Sequence, residues 1–507
     1  MRVLLLLTLS APLVGASPQA VAGDAEGSPR YVESSAGLGE PGLDGGYIEV
    51  EFGDVNADGH VDLVSVGDHG SPFVNTQQHG VMVWFGDGRG AFSVFQEGNF
   101  GYGGVALGDV NDDGLMDVGY GVHHAYSRTA FGDQLLEVAL GDGTGQAWTP
   151  WDAGLAEDGQ SWGMSGTAFG DIDNDGDLDV GANAFGCCDG VHVYRNRGDG
   201  SWQRTFGFLG SNSRMNCRMV DIDNDGNVDL AVRHQLGTVW MGDGAGDFAR
   251  ADTGLPSFAA LAGLALGDVN GDGDLEFATA SSAGIALYTL GTEGTWVRLA
   301  VQGLPTGGPF RAAQLEDCNG DGRVDVVAFG GGQGALFLQR DGLRFVRAAE
   351  FAAPRSGAVE WLRVDGDVDH NGWLDVVLVQ DEPTGGIFGG GRNRLYAFRE
   401  MSKPDRLRVR VLRPSARRVL VGGSVRFVDW LSAAPTDRTS VRVELSTAGV
   451  GGPWATVASG LPNNGRFQWT VPRTVTSTAR LRVTVKEAGD GPEVRVASAL
   501  SDRFEIR

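Results

Sequence analysis

Oxygen-bearing side chains recur in this chain at a spacing that suits a hard cation. Residues 171–179 carry Asp171, Asp173, Asp175 and Asp179 at positions 1, 3, 5 and 9, with Gly176 at position 6. A cation such as Ca²⁺ takes six to eight oxygens at short range, and odd spacing in a tight loop turns alternate side chains inward. Glycine at position 6 allows the sharp turn, and position 7 adds a backbone carbonyl. Six further copies follow the same pattern: Asp54, Asn56, Asp58 and Asp62; Asp109, Asn111, Asp113 and Asp117; Asp221, Asp223, Asp225 and Asp229; Asp268, Asn270, Asp272 and Glu276; Asp317, Asn319, Asp321 and Asp325; Asp367, Asp369, Asn371 and Asp375. The position-7 carbonyls belong to His60, Leu115, Asp177, Asn227, Asp274, Arg323 and Trp373. The third and fourth loops hold four carboxylates each and are expected to bind most tightly; Glu276 lengthens the last arm of the fifth. These are not helix-loop-helix calcium sites, because the last Asp runs straight into strand residues and no Glu stands at position 12.

The copies lie 55, 62, 50, 47, 49 and 50 residues apart, the mark of a repeat architecture. Each repeat reads as four short strands. An apolar one precedes the loop (Val105–Gly108) and another follows it (Leu63–Val66). A third ends in Gly-Asp-Gly (Val81–Gly88), and a fourth carries an aromatic residue such as Phe92 or Trp296. Four strands per period of this length describe a propeller blade. The seventh repeat lacks a fourth strand, and Ser28–Ser34 matches the template for one. Residues 28–35 are therefore expected to complete the last blade and hide its open edge.

The repeats resemble the FG-GAP/VCBS repeats of the integrin α-subunit propeller and its bacterial relatives, over residues 28–400. The resemblance implies a seven-bladed ring with Ca²⁺ in the loop joining the first two strands of each blade, and ligand binding on the opposite face. The metal is expected to be structural, about seven ions in all.

Bulk composition agrees with an all-β protein. The 507 residues include 81 glycines without a collagen period, and 42% are hydrophobic. Of the carboxylates, 23 sit at liganding positions, so the net charge of −25 reads as ion-binding capacity, and nucleic acid is not an expected partner. Met1-Arg2 and the apolar run to Val14 read as a signal peptide over residues 1–22, which places the protein outside the cell, at its surface or in a periplasm. No other long apolar run follows, and the mature protein is expected to be a soluble monomer. Cys187 and Cys188 are adjacent; a vicinal bridge, a bridge from one of them to Cys217, and free thiols all remain open, with Cys318 apart.

After a linker at 401–406 the pattern changes to strict alternation, as in Val441, Val443 and Leu445 or Leu481, Val483 and Val485. Residues 407–507 read as a β-sandwich. With Trp430, the Val443–Ser446 run and Phe467–Pro472, the segment resembles immunoglobulin-like or fibronectin-III-like modules. From Asp405 onward it has 17 basic and 9 acidic residues. Its arginines alternate with apolar positions, so a solvated sheet face is the expected reading. Docking onto an acidic surface, this chain's own propeller included, is the other.

Three connections on the face away from the loops are long: 68–79, 123–133 and 381–392. They hold His69, His79, His123, His124, Tyr126 and Phe388, the candidate ligand face. No nucleophile elbow, phosphate loop, dinucleotide fingerprint or paired-His zinc helix is present. The first reading is a binding scaffold for extracellular protein or glycan. A hydrolase or lyase of polysaccharide or phosphoester substrates, and a structural surface protein, are the alternatives.

Overall fold

The computed structural model describes residues 29–507 except 39–42, 45–47, 68–79, 99, 102, 123–130, 157–163, 185–189, 211–212, 258–263, 383–391, 404–405, 435–437 and 489–493. Among these the chain forms strands and no helix. Up to Glu400 the strands make seven antiparallel sheets, six of four strands and one of five, an arrangement typical of a propeller. The first sheet runs Val50–Gly53, Asp62–Val66, Val81–Gly86 and Phe92–Glu97 in order, and the next five repeat that meander. In every sheet the Asp-rich loop joins the first strand to the second.

Burial explains the strand sequences. The second and third strands are covered on both faces and are nearly continuously apolar, as in Asp62–Val66 and Val81–Gly86. The fourth strand has one face in water, so Phe92–Glu97 buries Phe92 and exposes its neighbours. Cores lie between successive sheets. One cluster contains Val83 of the first sheet and Tyr120 of the second; another contains Phe329 of the sixth and Leu378 of the last. A further cluster joins Phe52, Leu63 and Trp84 of the first sheet to Trp361, Val377 and Leu395 of the last.

The last sheet takes a strand from the start of the chain. Tyr31, Val32 and Glu33 pair with Glu400, Arg399 and Phe398. Tyr31 is buried against Phe351, with ring centroids 5.4 Å apart.

The first strands converge where Glu49 lies. Its carboxylate is fully buried and accepts N–H groups from Val105, Thr167 and Asn216 of the next three sheets, at 3.2–3.4 Å. Beside it, Glu51 pairs with Arg363, and Arg218 lies 3.7 Å from Glu51 and over the Trp361 ring. Burial pushes Glu49 up to about 8, against the pull of Arg218. The folded group keeps its proton to about pH 8, whereas the unfolded one loses it near 4.5, so this contribution to stability declines as pH rises through that window. Glu49→Gln should flatten the fall in urea midpoint between pH 5 and 8. An unchanged slope would assign the titration to other groups.

The C-terminal residues form a three-stranded sheet (Arg408–Arg413, Val425–Ala433, Arg466–Thr470) and a six-stranded one that includes Thr439–Ser446 and Thr476–Ala488. Between them lie Trp430, Val443, Trp469, Leu481, Val483 and Phe504. Cys217 and Cys318 are buried free thiols, so the bridge to Cys217 is not made; Cys187 and Cys188 lie outside the described residues.

Candidate metal centre

The loops hold their form through local hydrogen bonds. In the first, Asp54 accepts N–H groups from Asp58 and Gly59 at 3.1 and 3.0 Å, and Asp58 accepts that of His60 at 2.8 Å. Asn56 Oδ1 shares the Asp58 N–H at 3.1 Å. The backbone makes two left-handed turns, at position 6 and also at position 4. Position 4 is Ala57 (φ +56°), Asp112 (+60°), Asn174 (+57°), Asn224 (+58°), Gly271 (+76°), Gly320 (+74°) and His370 (+53°). Position 6 is glycine throughout, as at Gly59 (+89°), where no Cβ is strained.

Position 9 is a clamp. Asp62 accepts the Val55 N–H at 3.1 Å with one oxygen and, with the other, the N–H of Gly86 from the third strand at 2.9 Å. Asp117, Asp179, Asp229, Asp325 and Asp375 repeat both bonds, with third-strand partners Gly141, Asn196, Gly242, Gln339 and Glu400. Glu276 departs from the pattern: one oxygen takes the Val269 and Asn270 N–H groups, and the other takes the Asn270 amide. Position 7 donates its N–H to position 5, as at Leu115, Asp177, Asn227, Asp274, Arg323 and Trp373. The His60 ring meets His370 of the last loop with ring nitrogens 3.2 Å apart, and the Arg323 side chain pairs with Asp341 at 2.6 Å.

Burial sets the electrostatics. It pushes Asp62 and Asp229 up to about 8, Asp117 and Asp325 to about 7, and Asp54, Asp173 and Asp221 to about 6. Asp179, Asp367 and Asp375 rise for the same reason. Burial thus favours the uncharged form of each of these carboxyl groups.

Three sets could hold a metal ion, each with ligand atoms within 4.8 Å of one another: Asp171, Asp173 and Asp179; Asp221, Asp223 and Asp225; Asp367, Asp369 and Asp375. All three have Asp at position 3, where the other loops have Asn. The third and fourth loops thus stand out as their charge implies, and the last joins them with only three carboxylates. Each set also contains a buried carboxylate oxygen with no hydrogen-bond partner among the described residues: Asp173 Oδ1, Asp221 Oδ1 and Asp369 Oδ1. Third-strand arginines sit beside two of the sets. Arg195 reaches Asp173 at 2.6 Å and Asp175 at 2.7 Å, and Arg399 reaches Asp369 at 3.1 Å. The loop pattern alone does not point to these arginines or to position 4.

Four arginines, Arg410, Arg413, Arg418 and Arg426, depart from the solvated-face expectation, whereas Arg442, Arg495 and Arg507 are exposed. Arg418 binds the Asp221 and Gly273 carbonyls and lies 3.0 Å from the Asp221 carboxylate; Arg426 binds the Gly226 carbonyl and Asn174 Oδ1. Arg410 lies 3.2 Å from Asp317, and Arg413 bridges Glu316 and Asp429. The candidate ligand-face residues His69, His79, His123, His124, Tyr126 and Phe388 lie outside the described residues.

The FG-GAP-like repeat pattern matches residues 184–232, 268–328 and 317–378, which contain the loops at Asp221, Asp268, Asp317 and Asp367. Three stretches of the chain thus carry FG-GAP-like repeats, set in successive sheets arranged as in a propeller. No curated protein matches it in sequence. Among solved structures, the propeller chain is similar to an ancestral GH74 enzyme at 12% identity and a TM-score of 0.41, over 90% of this chain and 62% of that one. It is also similar to a luciferin-regenerating enzyme at 9% identity and a TM-score of 0.35, over 73% and 96%. Scores this low bear on neither activity nor ligand. No helix of the described residues is long and apolar enough to cross a membrane.

Proposed function

We propose that this protein is an exported, calcium-stabilised binding scaffold: a seven-bladed propeller over residues 28–400, a linker at 401–406 and an immunoglobulin-like β-sandwich over 407–507. Seven sheets in sequence, the core shared by the first and last of them, and the Tyr31–Glu33 strand in the last sheet support the closed ring. The apolar run within residues 1–22 supports export as a signal peptide.

The unpartnered buried oxygens of Asp173, Asp221 and Asp369 carry the metal reading. A buried carboxylate oxygen without a donor is costly unless a cation meets it. Ca²⁺ fits an all-oxygen donor set better than zinc or copper does. Side chains at positions 1, 3, 5 and 9 and the position-7 carbonyl would hold it. Bound there, the ion supplies positive charge that neutralises the loop. The residues themselves do the fastening: position 9 already ties the loop to the third strand, and position 1 ties its two halves together.

The candidate ligand face is the opposite one. The C-terminal sheets cover the loop side, and Glu49, Glu51, Arg218 and Arg363 fill the place where the first strands meet. The strands that flank the long connections 68–79, 123–133 and 381–392 end on the far side from the loops, and a partner there would be an extracellular protein or glycan. Screening against glycan and extracellular-protein arrays, beside a variant with these connections shortened, tests it. Binding lost in the variant is expected; equal binding would move the site elsewhere.

A further inference from the structure

The C-terminal sheets touch every one of the seven loops. Asn464 donates to Asp54 Oδ2 at 3.2 Å. Gln468 exchanges two bonds with the Asp109 backbone, at 2.7 and 3.0 Å. The Val425 N–H reaches Asp171 Oδ2 at 2.8 Å, and that of Val419 reaches Asn224 Oδ1 at 2.8 Å. Arg418 takes the Gly273 carbonyl at 2.9 Å, Arg410 pairs with Asp317, and the Ala434 N–H reaches the His370 carbonyl at 3.1 Å. A Cβ on Gly226, Gly320 or Gly372 would meet Val421, Arg410 or Ala433 at 2.8–2.9 Å.

These contacts follow a rule of position. They fall on the loops at positions 1, 4 and 6. Position 5 turns inward to its own loop, accepting the position-7 N–H, and position 9 holds the third strand. The two left-handed residues, at positions 4 and 6, meet the C-terminal sheets, and so does position 1, whose carboxylate is also one of the ligand positions. A loop that changes its turn therefore changes its contacts and its ligand positions together.

We infer that seating of the C-terminal sheets and cation binding by the loops form one coupled equilibrium, in which each stabilises the loop shape the other needs. This rests on the calcium reading above and adds its regulation: calcium level sets how firmly the C-terminal sheets are held. Coupling is reciprocal by thermodynamic necessity, with affinity changes of about 5- to 150-fold in typical cases.

The test uses the full chain with calcium or with chelator. Calorimetry counts calcium uptake. Hydrogen exchange reads the seam amides of Val419, Val425 and Ala434, with Val443 and Val483 inside the C-terminal sheets as the reference. Calcium should slow seam exchange roughly tenfold, within that typical range, and leave the reference unchanged. Asn464→Ala with Gln468→Ala, which changes no charge, should weaken calcium binding several-fold. Arg418→Ala with Arg426→Ala sharpens the result: removing two cations near carboxylates would tighten calcium by simple electrostatics, whereas loss of a clamp weakens it. Calcium uptake with unchanged seam exchange, or unweakened binding in the Asn464/Gln468 variant, would overturn the coupling and leave the calcium reading standing. No calcium uptake would overturn the calcium reading itself, and the coupling with it.

Discussion

Chelation will lower the melting temperature of this protein by on the order of 10–20 °C. Three Asp sets with unpartnered buried oxygens are the sites with most to lose. A ligand bound only to the folded state, present at about 100 times its Kd, adds about 2.7 kcal/mol per site. Three such sites give about 8 kcal/mol, and about 2 °C per kcal/mol is a fair conversion for a large domain. The effect carries a pH signature. Burial raises Asp62 and Asp229 to about 8 and Asp325 to about 7, from 3.8. In chelator the folded state then holds protons that the unfolded state has lost, so stability drops as pH climbs from about 4 to 8. With calcium saturating, the ion replaces those protons and the drop shrinks. Differential scanning calorimetry at pH 5.5, 7 and 8.5 with and without chelator measures both effects. Superimposable curves would end the calcium proposal.

Asp429→Ala should be the most damaging single change in the C-terminal sheets. The Asp429 side chain is 5% exposed and accepts bonds from Arg413 at 2.9 Å and from Arg466 at 2.8 and 3.1 Å. Burial works to raise its pKa, yet Arg466 and Arg413 together outweigh burial and hold it below the usual carboxylate range. Removing it leaves two guanidinium groups facing each other without their shared anion. Breaking a fully buried pair costs about 3–5 kcal/mol, and the 40% and 33% exposure of the Arg413 and Arg466 side chains brings this loss down to about 2–3 kcal/mol. Arg413 also holds Glu316, so the loss reaches the seam with the propeller. Urea unfolding followed by tryptophan fluorescence reads it, since Trp430 is buried next in sequence. A midpoint within experimental error of the parent would mean that the arginines find other partners.

Much of the all-β architecture was legible because its signals are local. Odd-position oxygens with a glycine at position 6 mark a loop within nine residues, and apolar runs on either side mark strands. What stayed hidden involves distance. Position 4 is left-handed in all seven loops, yet Ala57, Asp112, Asn174 and His370 share no side-chain type that announces it. Arg195 and Arg399 reach the loops from third strands, where other sheets place residues such as Phe85 and Leu140. The seam arginines alternate with apolar residues as a wet sheet face would. Their partners lie far away in sequence, 197 residues in the case of Arg418 and Asp221, and alternation cannot show what covers a face.

The strand Tyr31–Glu33 sets an order of events. It is made among the first described residues, and its pairing partners follow much later; the bond from Arg30 N–H to Glu400 spans 370 residues. At 5–20 residues per second a ribosome needs roughly 20–75 s to bridge that interval. For that time Phe52, Leu63 and Trp84 have no last sheet to cover them. Until the strand Arg392–Glu400 is made, the apolar side of the first sheet therefore faces water, and the two ends of the propeller region can pair only after nearly all of it exists.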